Sequence, residues 1–118
     1  MKMITLEDST ETFREMDRDG IDVHQPLLWV YSFLNRDVDR LEEAALELEQ
    51  MGYTLDTISE AVDDQGEPTG LYLLTITEFA EHTAQSLHER NQLFYAYASQ
   101  TGLEMYYGFD CTPHVDDF

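Results

Sequence analysis

The chain has 118 residues, the size of one folded domain, and 42% of them are hydrophobic, which is enough for one packed core. Its 25 acidic residues outnumber its 6 lysines and arginines, so the formal net charge is −19 at pH 7. This charge argues against direct binding to nucleic acids or to anionic membranes, because both recruit basic residues. A single cysteine excludes an internal disulfide, no apolar run is long enough to span a membrane, and no signal peptide is visible. We therefore expect a cytoplasmic protein.

The first half of the sequence predicts a helix, a strand and a second helix. Thr5 and Asp8 are spaced as a capping box, so a first helix is expected over residues 5–20. Leu27 to Leu34 is apolar at both alternating sets of positions, which is typical of a central strand covered on both faces. Asp37 to Gln50 carries one apolar stripe and predicts the second helix.

The second half predicts two strands, a helix and a last strand. Tyr53 to Val62 and Leu71 to Ile76 have the composition of strands and are joined by a segment rich in turn formers. The next helix begins at Thr77 or Thr83 and ends before the last strand, Leu103 to Phe109. That strand is expected to place four side chains on one side: Leu103, Met105, Tyr107 and Phe109.

This order of elements, a helix followed by β-α-β-β-α-β, is that of a ferredoxin-like α+β fold. We expect a four-stranded antiparallel sheet with two helices on one face, plus the extra N-terminal helix. Residues 1–118 are expected to form a single domain, with residues 110–118 as a loose tail.

Residues with the chemistry for catalysis or metal binding are few. His82 and Ser86 are four residues apart, with Glu78 and Glu81 nearby, but the spacing supplies no group to hold a catalytic base and no oxyanion hole. A solvated helix face is therefore predicted. His82 and His88 are six residues apart rather than at the i, i+4 spacing of paired metal ligands. We predict no catalytic residues, no metal site and no cofactor.

Aromatic residues on the expected sheet invite comparison with RNA-recognition domains, which stack bases on such a sheet. Trp29, Tyr31, Tyr106 and Phe109 are the candidates. The basic, glycine and aromatic motif of those domains is absent, however, and the net charge opposes RNA binding. Packing in the core, or cover by the first helix, is the better prediction.

Acidic side chains remain as the candidates for function. They are spread over the whole chain. The sequence offers no convincing catalytic residues, and the first strand has a second apolar face that must be buried against something. Binding to a basic protein partner explains all of these features. We expect the contacts on the first and second helices: Glu11, Glu15, Asp39, Glu42, Glu43, Glu47 and Glu49.

A series of short motifs resembles a known family in order and spacing. The acidic first helix ends in Asp-Gly-Ile-Asp at residues 19–22, and an apolar strand follows. The second helix contains Ala44-Ala45 and ends in Met-Gly-Tyr at 51–53, similar to the family's Leu-Gly-Tyr. Residues 106–109, Tyr-Tyr-Gly-Phe, are similar to the family's Tyr-Asp-Gly-Trp. From about Leu6 to Phe109 the chain thus resembles regulator of ribonuclease activity B, a family of protein inhibitors of bacterial ribonuclease E.

The resemblance implies a ferredoxin-like α+β fold and a cytoplasmic protein that binds ribonuclease E, lowers RNA cleavage and alters transcript abundance. We therefore expect an acidic regulatory protein, not an enzyme, whose partner is ribonuclease E or another basic protein. The alternative is a ferredoxin-like domain that binds or converts a small molecule in a cleft lined by His82, His88 or Cys111. A further alternative is a homo-oligomer that joins copies through the open face of the sheet.

Overall fold

The computed structural model describes residues 4–112. The elements, in chain order, are α1 (Leu6–Arg18), β1 (Leu27–Asn35), α2 (Val38–Gln50), β2 (Thr54–Val62), β3 (Pro68–Ala80), α3 (Ala84–Thr101) and β4 (Met105–Thr112). Among these helices, none is both long enough and apolar enough to cross a membrane.

The strands form one open antiparallel sheet in the order β2-β3-β1-β4. β1 pairs along its whole length with β3, from Leu27 opposite Ala80 to Asn35 opposite Tyr72. α2 connects β1 to β2, and α3 connects β3 to β4, so each of these helices joins two strands that have a third strand between them. The predicted α+β class and the four-stranded antiparallel sheet are confirmed.

Local side chains determine where the helices begin. Thr5 and Asp8 form the predicted capping box of α1, with the Asp8 amide 3.1 Å from the Thr5 hydroxyl and the Thr5 amide 2.9 Å from the Asp8 carboxylate. Asp37 caps α2 by accepting hydrogen bonds from two amides of its first turn. Thr83 and Ser86 form a second capping box at the start of α3. Each cap satisfies amides that have no partner within the helix.

All the described helices pack on the same face of the sheet. The β1 side chains of that face, Leu27, Trp29, Tyr31 and Phe33, are almost fully buried. Phe94 of α3 lies 4.7 Å from the Tyr31 ring and 5.4 Å from the Phe33 ring, centroid to centroid. Phe13 of α1 stacks on Trp29 at 5.8 Å. Because α1 joins the other helices on this face, the aromatic side chains of β1 are covered by helices, the first helix included. The prediction that β1 is covered on both faces is wrong.

The structure also corrects several predicted boundaries. β3 extends to Ala80, well beyond the predicted Leu71 to Ile76, so Thr77 lies in the strand and cannot cap the helix that follows. β4 continues to Thr112 and pairs with β1 there, so residues 110–112 are not part of a loose tail. The remainder of the predicted tail lies outside the described residues.

A bulge in β4 overturns the predicted sidedness of the last strand. Ser32 of β1 pairs with Gly108, whereas the next residue, Phe33, pairs with Tyr106. Tyr107 is therefore an extra residue, and it is 65% exposed on the face opposite the helices, while Tyr106 is buried beneath them. Gly108 has φ of +138°, a conformation that glycine adopts without strain and that suits a bulge.

Candidate functional site

The predicted acidic residues of α2 occupy the solvent side of that helix. Its buried stripe consists of Leu41, Ala44, Ala45 and Leu48, and the exposed acids are Asp39, Glu42, Glu43, Glu47 and Glu49. Two of these acids already have internal partners. The Arg40 guanidinium lies 3.0 Å from the Glu43 carboxylate, and the Tyr97 hydroxyl donates to Glu47 at 2.6 Å. Among the described residues, the side chains of Asp39, Glu42 and Glu49 have no internal partner, so they are available to an external one.

The predicted acids of α1 form a separate patch. Glu11 bonds to Arg14 at 3.4 Å and to Arg18 at 3.2 Å, whereas Glu15 is exposed beside the C-terminal half of β4. α1 packs against α3. On its other side α3 is bonded to α2, because the Arg40 guanidinium donates to the Thr101 carbonyl at 2.6 and 2.8 Å. α3 therefore lies between the two acidic helices.

The arginines of the described chain are all bonded internally. Arg14 and Arg18 bond to Glu11, Arg36 to Glu104, Arg40 to Glu43 and Thr101, and Arg90 to Glu78. The Arg36–Glu104 pair has two parallel contacts, of 3.0 and 2.9 Å, and hydrogen bonds from Arg36 lower the pKa of Glu104. The local positive charge is thus compensated within the fold, and an approaching partner meets a negative field.

A polar cluster centred on Glu78 is partly buried where β1 and β3 meet α3. The Tyr31 hydroxyl donates to Glu78 at 2.9 Å, and His82 Nε2 lies 3.2 Å from the same carboxylate oxygen. The Arg90 guanidinium bonds to the other oxygen and to the Tyr53 hydroxyl, at 2.8 Å from the latter. Burial opposes ionisation of Glu78, but the hydrogen bonds from His82, Arg90 and Tyr31 outweigh it and lower the pKa to about 2.

This cluster corrects the prediction that His82 lies on a solvated helix face. His82 precedes α3, is 6% exposed, and packs edge-on against Trp29 at 5.2 Å. Its Nδ1 lies 2.9 Å from the Ser86 hydroxyl, so Glu78 is the orienting group that the sequence spacing did not reveal. Ser86 is itself engaged, because its hydroxyl accepts the Thr83 amide at 2.8 Å as part of the helix cap. Through His82, the first turn of α3 is thus hydrogen-bonded to Glu78 of the sheet.

His82 and Cys111, two of the residues predicted for a small-molecule site, line different surface pockets. His82 lines one beside Phe13 and His24, whereas Cys111 lines another beside Met16 and α1. Burial and the neighbouring Asp110 raise the pKa of the Cys111 thiol to about 11. The thiol is therefore protonated at neutral pH, the form that is a poor nucleophile.

The aromatic residues weighed for RNA stacking face the helices. Trp29, Tyr31 and Tyr106 are each at most 2% exposed, and Phe109 packs against the same core. The Tyr106 hydroxyl donates to the buried Asn91 at 2.7 Å. The prediction of core packing is confirmed for these side chains, which cannot stack on a nucleic acid base from this position.

The opposite face of the sheet is not covered by any described helix. We define this open face by residues of β1, β3 and β4: Val30, Ser32, Leu34, Leu73, Thr75 and Tyr107. Tyr107 stands between two open hollows of about 450 and 360 Å³. Glu60 lines the first and Asp110 the second, and none of the described arginines lines either. The sequence predicted a second apolar face on β1 but placed Tyr107 on the same side of the last strand as Phe109, which packs on the core.

Comparison with known proteins identifies a family. A family model described as regulator of ribonuclease activity B matches residues 6–111, which extend from the first residue of α1 almost to the end of β4. The short motifs that carry the resemblance lie within this range. No curated protein matches the chain.

Proposed function

The chain belongs to the regulator of ribonuclease activity B family, and on this premise we propose that it binds ribonuclease E, or a similar ribonuclease, and slows RNA cleavage. The family match is the observation that carries the proposal. The protein acts in this proposal as a non-covalent regulator rather than as an enzyme, in the cytoplasm where its nuclease works. The order of strands and connections supports a ferredoxin-like arrangement as its scaffold, because β3 lies between β1 and β2, and β1 lies between β3 and β4.

Charge complementarity gives the proposal its physical basis. An enzyme that holds RNA neutralises phosphates with lysine and arginine side chains, so it presents basic surface. A compact domain of net charge −19 is attracted to such a surface, and the attraction accelerates encounter. Occupation of that surface would slow cleavage either by competing with RNA or by changing how the nuclease assembles with other proteins.

The acids of α1 and α2 are the proposed points of first contact. These are Glu11, Glu15, Asp39, Glu42, Glu43, Glu47 and Glu49. Glu42 and Glu49 are the most informative, because both are exposed and neither has an internal partner among the described residues. Reversing their charges leaves the helix stripe and the internal ion pairs intact.

The test is an RNA cleavage assay with the cognate ribonuclease at increasing concentrations of the purified protein. The wild-type protein should slow cleavage, and the effect should weaken as salt rises, because exposed charges are screened over about 8 Å at physiological ionic strength. Glu42→Lys/Glu49→Lys should weaken inhibition. Asp64→Lys/Glu67→Lys, on the exposed turn between β2 and β3, changes the total charge equally and serves as the matched control.

Two results would count against this proposal at different levels. Unchanged cleavage at every concentration, together with no co-sedimentation of protein and nuclease, would remove the proposed function. Equal weakening by both double substitutions would show that only the total charge matters and would remove the assignment to α2.

A further inference from the structure

We infer that the open face of the sheet docks a cationic, amphipathic segment of the partner, with the apolar side chains of that segment packed around Tyr107. The inference rests on the proposed function and adds to it a second surface and the chemistry of the segment that this surface accepts. The acids of α1 and α2 lie in the helical layer, so this surface is distinct from the proposed points of first contact.

The apolar character of the open face is the first argument. A sheet face that only meets water usually alternates with polar residues opposite a packed face. On this face Leu34 is paired with Leu73 near the end of β1, and Val30 lies four residues before Leu34, with the polar pair Ser32 and Thr75 between them. Tyr107 adds a large aromatic ring that is 65% exposed. An accessible tyrosine that stands beside apolar side chains is typical of the centre of a protein interface.

The shape of the face is the second argument. The bulge in β4 projects Tyr107 between the two hollows, one floored by Leu34 and Leu73 and the other by Val30 and Thr75. A segment laid across the strands can therefore place apolar side chains on both sides of the ring. Such an arrangement buries the tyrosine from both sides, which is what a well-packed anchor requires.

The negative charge around the open face is the third argument, because it favours a cationic partner. Glu60 and Asp110 stand at the two hollows, and the described arginines all lie in the helical layer or in its connecting loops. A segment with apolar residues on one side and lysine or arginine on the other can pack its apolar side chains against the sheet and place its basic side chains near these acids. A second copy of this chain would instead bring the same acids and a further charge of −19, and like charges placed opposite one another disfavour association.

Peptide binding followed by NMR tests where such a segment docks. The probe is a synthetic peptide of alternating lysine and leucine, and its controls replace leucine by serine or lysine by glutamate. We expect the lysine–leucine peptide to shift the amide signals of Val30, Ser32 and Thr75, the lysine–serine peptide to bind at least about tenfold more weakly, and the glutamate–leucine peptide not to bind. Shifts confined to α1 and α2, or equal binding of both lysine peptides, would overturn the inference.

Substitution of the central tyrosine tests the same surface with the nuclease. Tyr107→Thr should weaken binding of the lysine–leucine peptide and of the ribonuclease by about tenfold or more, whereas Tyr107→Phe should retain binding. The matched control is Leu93→Gln, which removes an apolar side chain that is 45% exposed on α3. Thermal unfolding of each variant verifies that the fold is retained.

The outcomes separate this inference from the proposed function. Normal nuclease inhibition by Tyr107→Thr would overturn the role of the open face and leave the proposed function standing. A wild-type protein that binds the peptide at the open face but does not bind the nuclease would remove the proposed function alone. A wild-type dimer in sedimentation that Tyr107→Thr converts to a monomer would assign the face to a second copy and overturn the inference.

Discussion

Removing the charge of Glu78 tests whether the buried cluster stabilises the fold. Glu78→Gln keeps the size and shape of the side chain but leaves Arg90 without its carboxylate and Tyr31 and His82 with a weaker acceptor. The Glu78 side chain is 19% exposed and that of Arg90 26%, so the pair is largely withdrawn from water. Breaking a buried pair by removing one partner destabilises more than losing an exposed pair, because the remaining charge stays desolvated.

The shift in the pKa of Glu78 gives the size of the expected loss of stability and its dependence on pH. The folded value is about 2, compared with an ordinary value of 4.5. Because the folded pKa is the lower one, the carboxylate stabilises the fold above pH 4.5, and this contribution disappears as the pH falls from 4.5 to 2. At about 1.4 kcal/mol per unit, the shift sets an upper limit of about 3 kcal/mol. Partial access to solvent reduces the expected loss to about 2 kcal/mol.

Urea unfolding at a series of pH values measures this loss. At pH 7 the free energy of unfolding of Glu78→Gln should be about 2 kcal/mol below that of the wild type, and the difference should close as the pH approaches 2. Protonation of the many other acids affects both proteins alike, so the difference isolates Glu78. Glu104→Gln, which breaks the exposed pair with Arg36, is the control and should have a much smaller effect. Equal stabilities at pH 7, or a difference that persists at pH 2, would refute the reasoning.

The remaining predictions concern a buried hydrogen bond and the thiol. Tyr106→Phe removes the donor to Asn91 and should lower stability by about 1–3 kcal/mol in thermal unfolding. Tyr106→Phe/Asn91→Leu should recover part of this loss, because no buried amide is left unpaired; a double variant less stable than the single one would contradict this. Cys111, with its pKa raised to about 11, should react with iodoacetamide at neutral pH at least about tenfold more slowly than free cysteine. Equal rates would show that the pKa of this thiol is not raised.

The starts of α1 and α2 could be predicted because the residues that determine them are close in sequence. The Thr5–Asp8 capping box needs only a side chain and amides three residues away, and of the two candidates for the cap of α2, Asn35 and Asp37, the structure shows Asp37. The acids of α2 were likewise predicted to be exposed, because the opposite stripe is continuous and apolar. These features depend on the chain within one or two turns, and the structure confirms them.

The last strand could not be predicted in the same way because its register depends on β1. Strict alternation placed Tyr107 beside Phe109, but the bulge opposite Ser32 and Phe33 inserts one residue and reverses the side on which Tyr107 lies. Gly108 was the available signal, since an isolated glycine within a strand pattern indicates a bulge. The position of α1 also depends on distant contacts, such as that of Phe13 with Trp29, which the sequence of the helix alone does not show.

The Glu78 cluster was missed because the start of α3 was left open between Thr77 and Thr83. A start at Thr83 places Glu78 in β3, on the same side of the strand as Leu74 and Ile76. A lone acid among core positions is a signal in itself, because a buried carboxylate requires partners. The partners come from three other segments of the chain, so only the fold could identify Tyr31 and Arg90.

The placement of charge in the fold connects the cluster to the proposed binding surfaces. Each described arginine forms an ion pair with an acid of α1, α2, β3 or the loop before β4, so the positive charge is compensated in or beside the helical layer while most acids point outward. None of these arginines lies on the open face, where the apolar side chains Val30, Leu34 and Leu73 line the surface. The two surfaces should therefore respond to different variables: salt screens contact with the helical acids, whereas burial of the open face produces a negative heat capacity change of binding. Because the surfaces lie on opposite layers, a partner that shows both signatures must pass around an edge of the sheet, and one short segment cannot supply both.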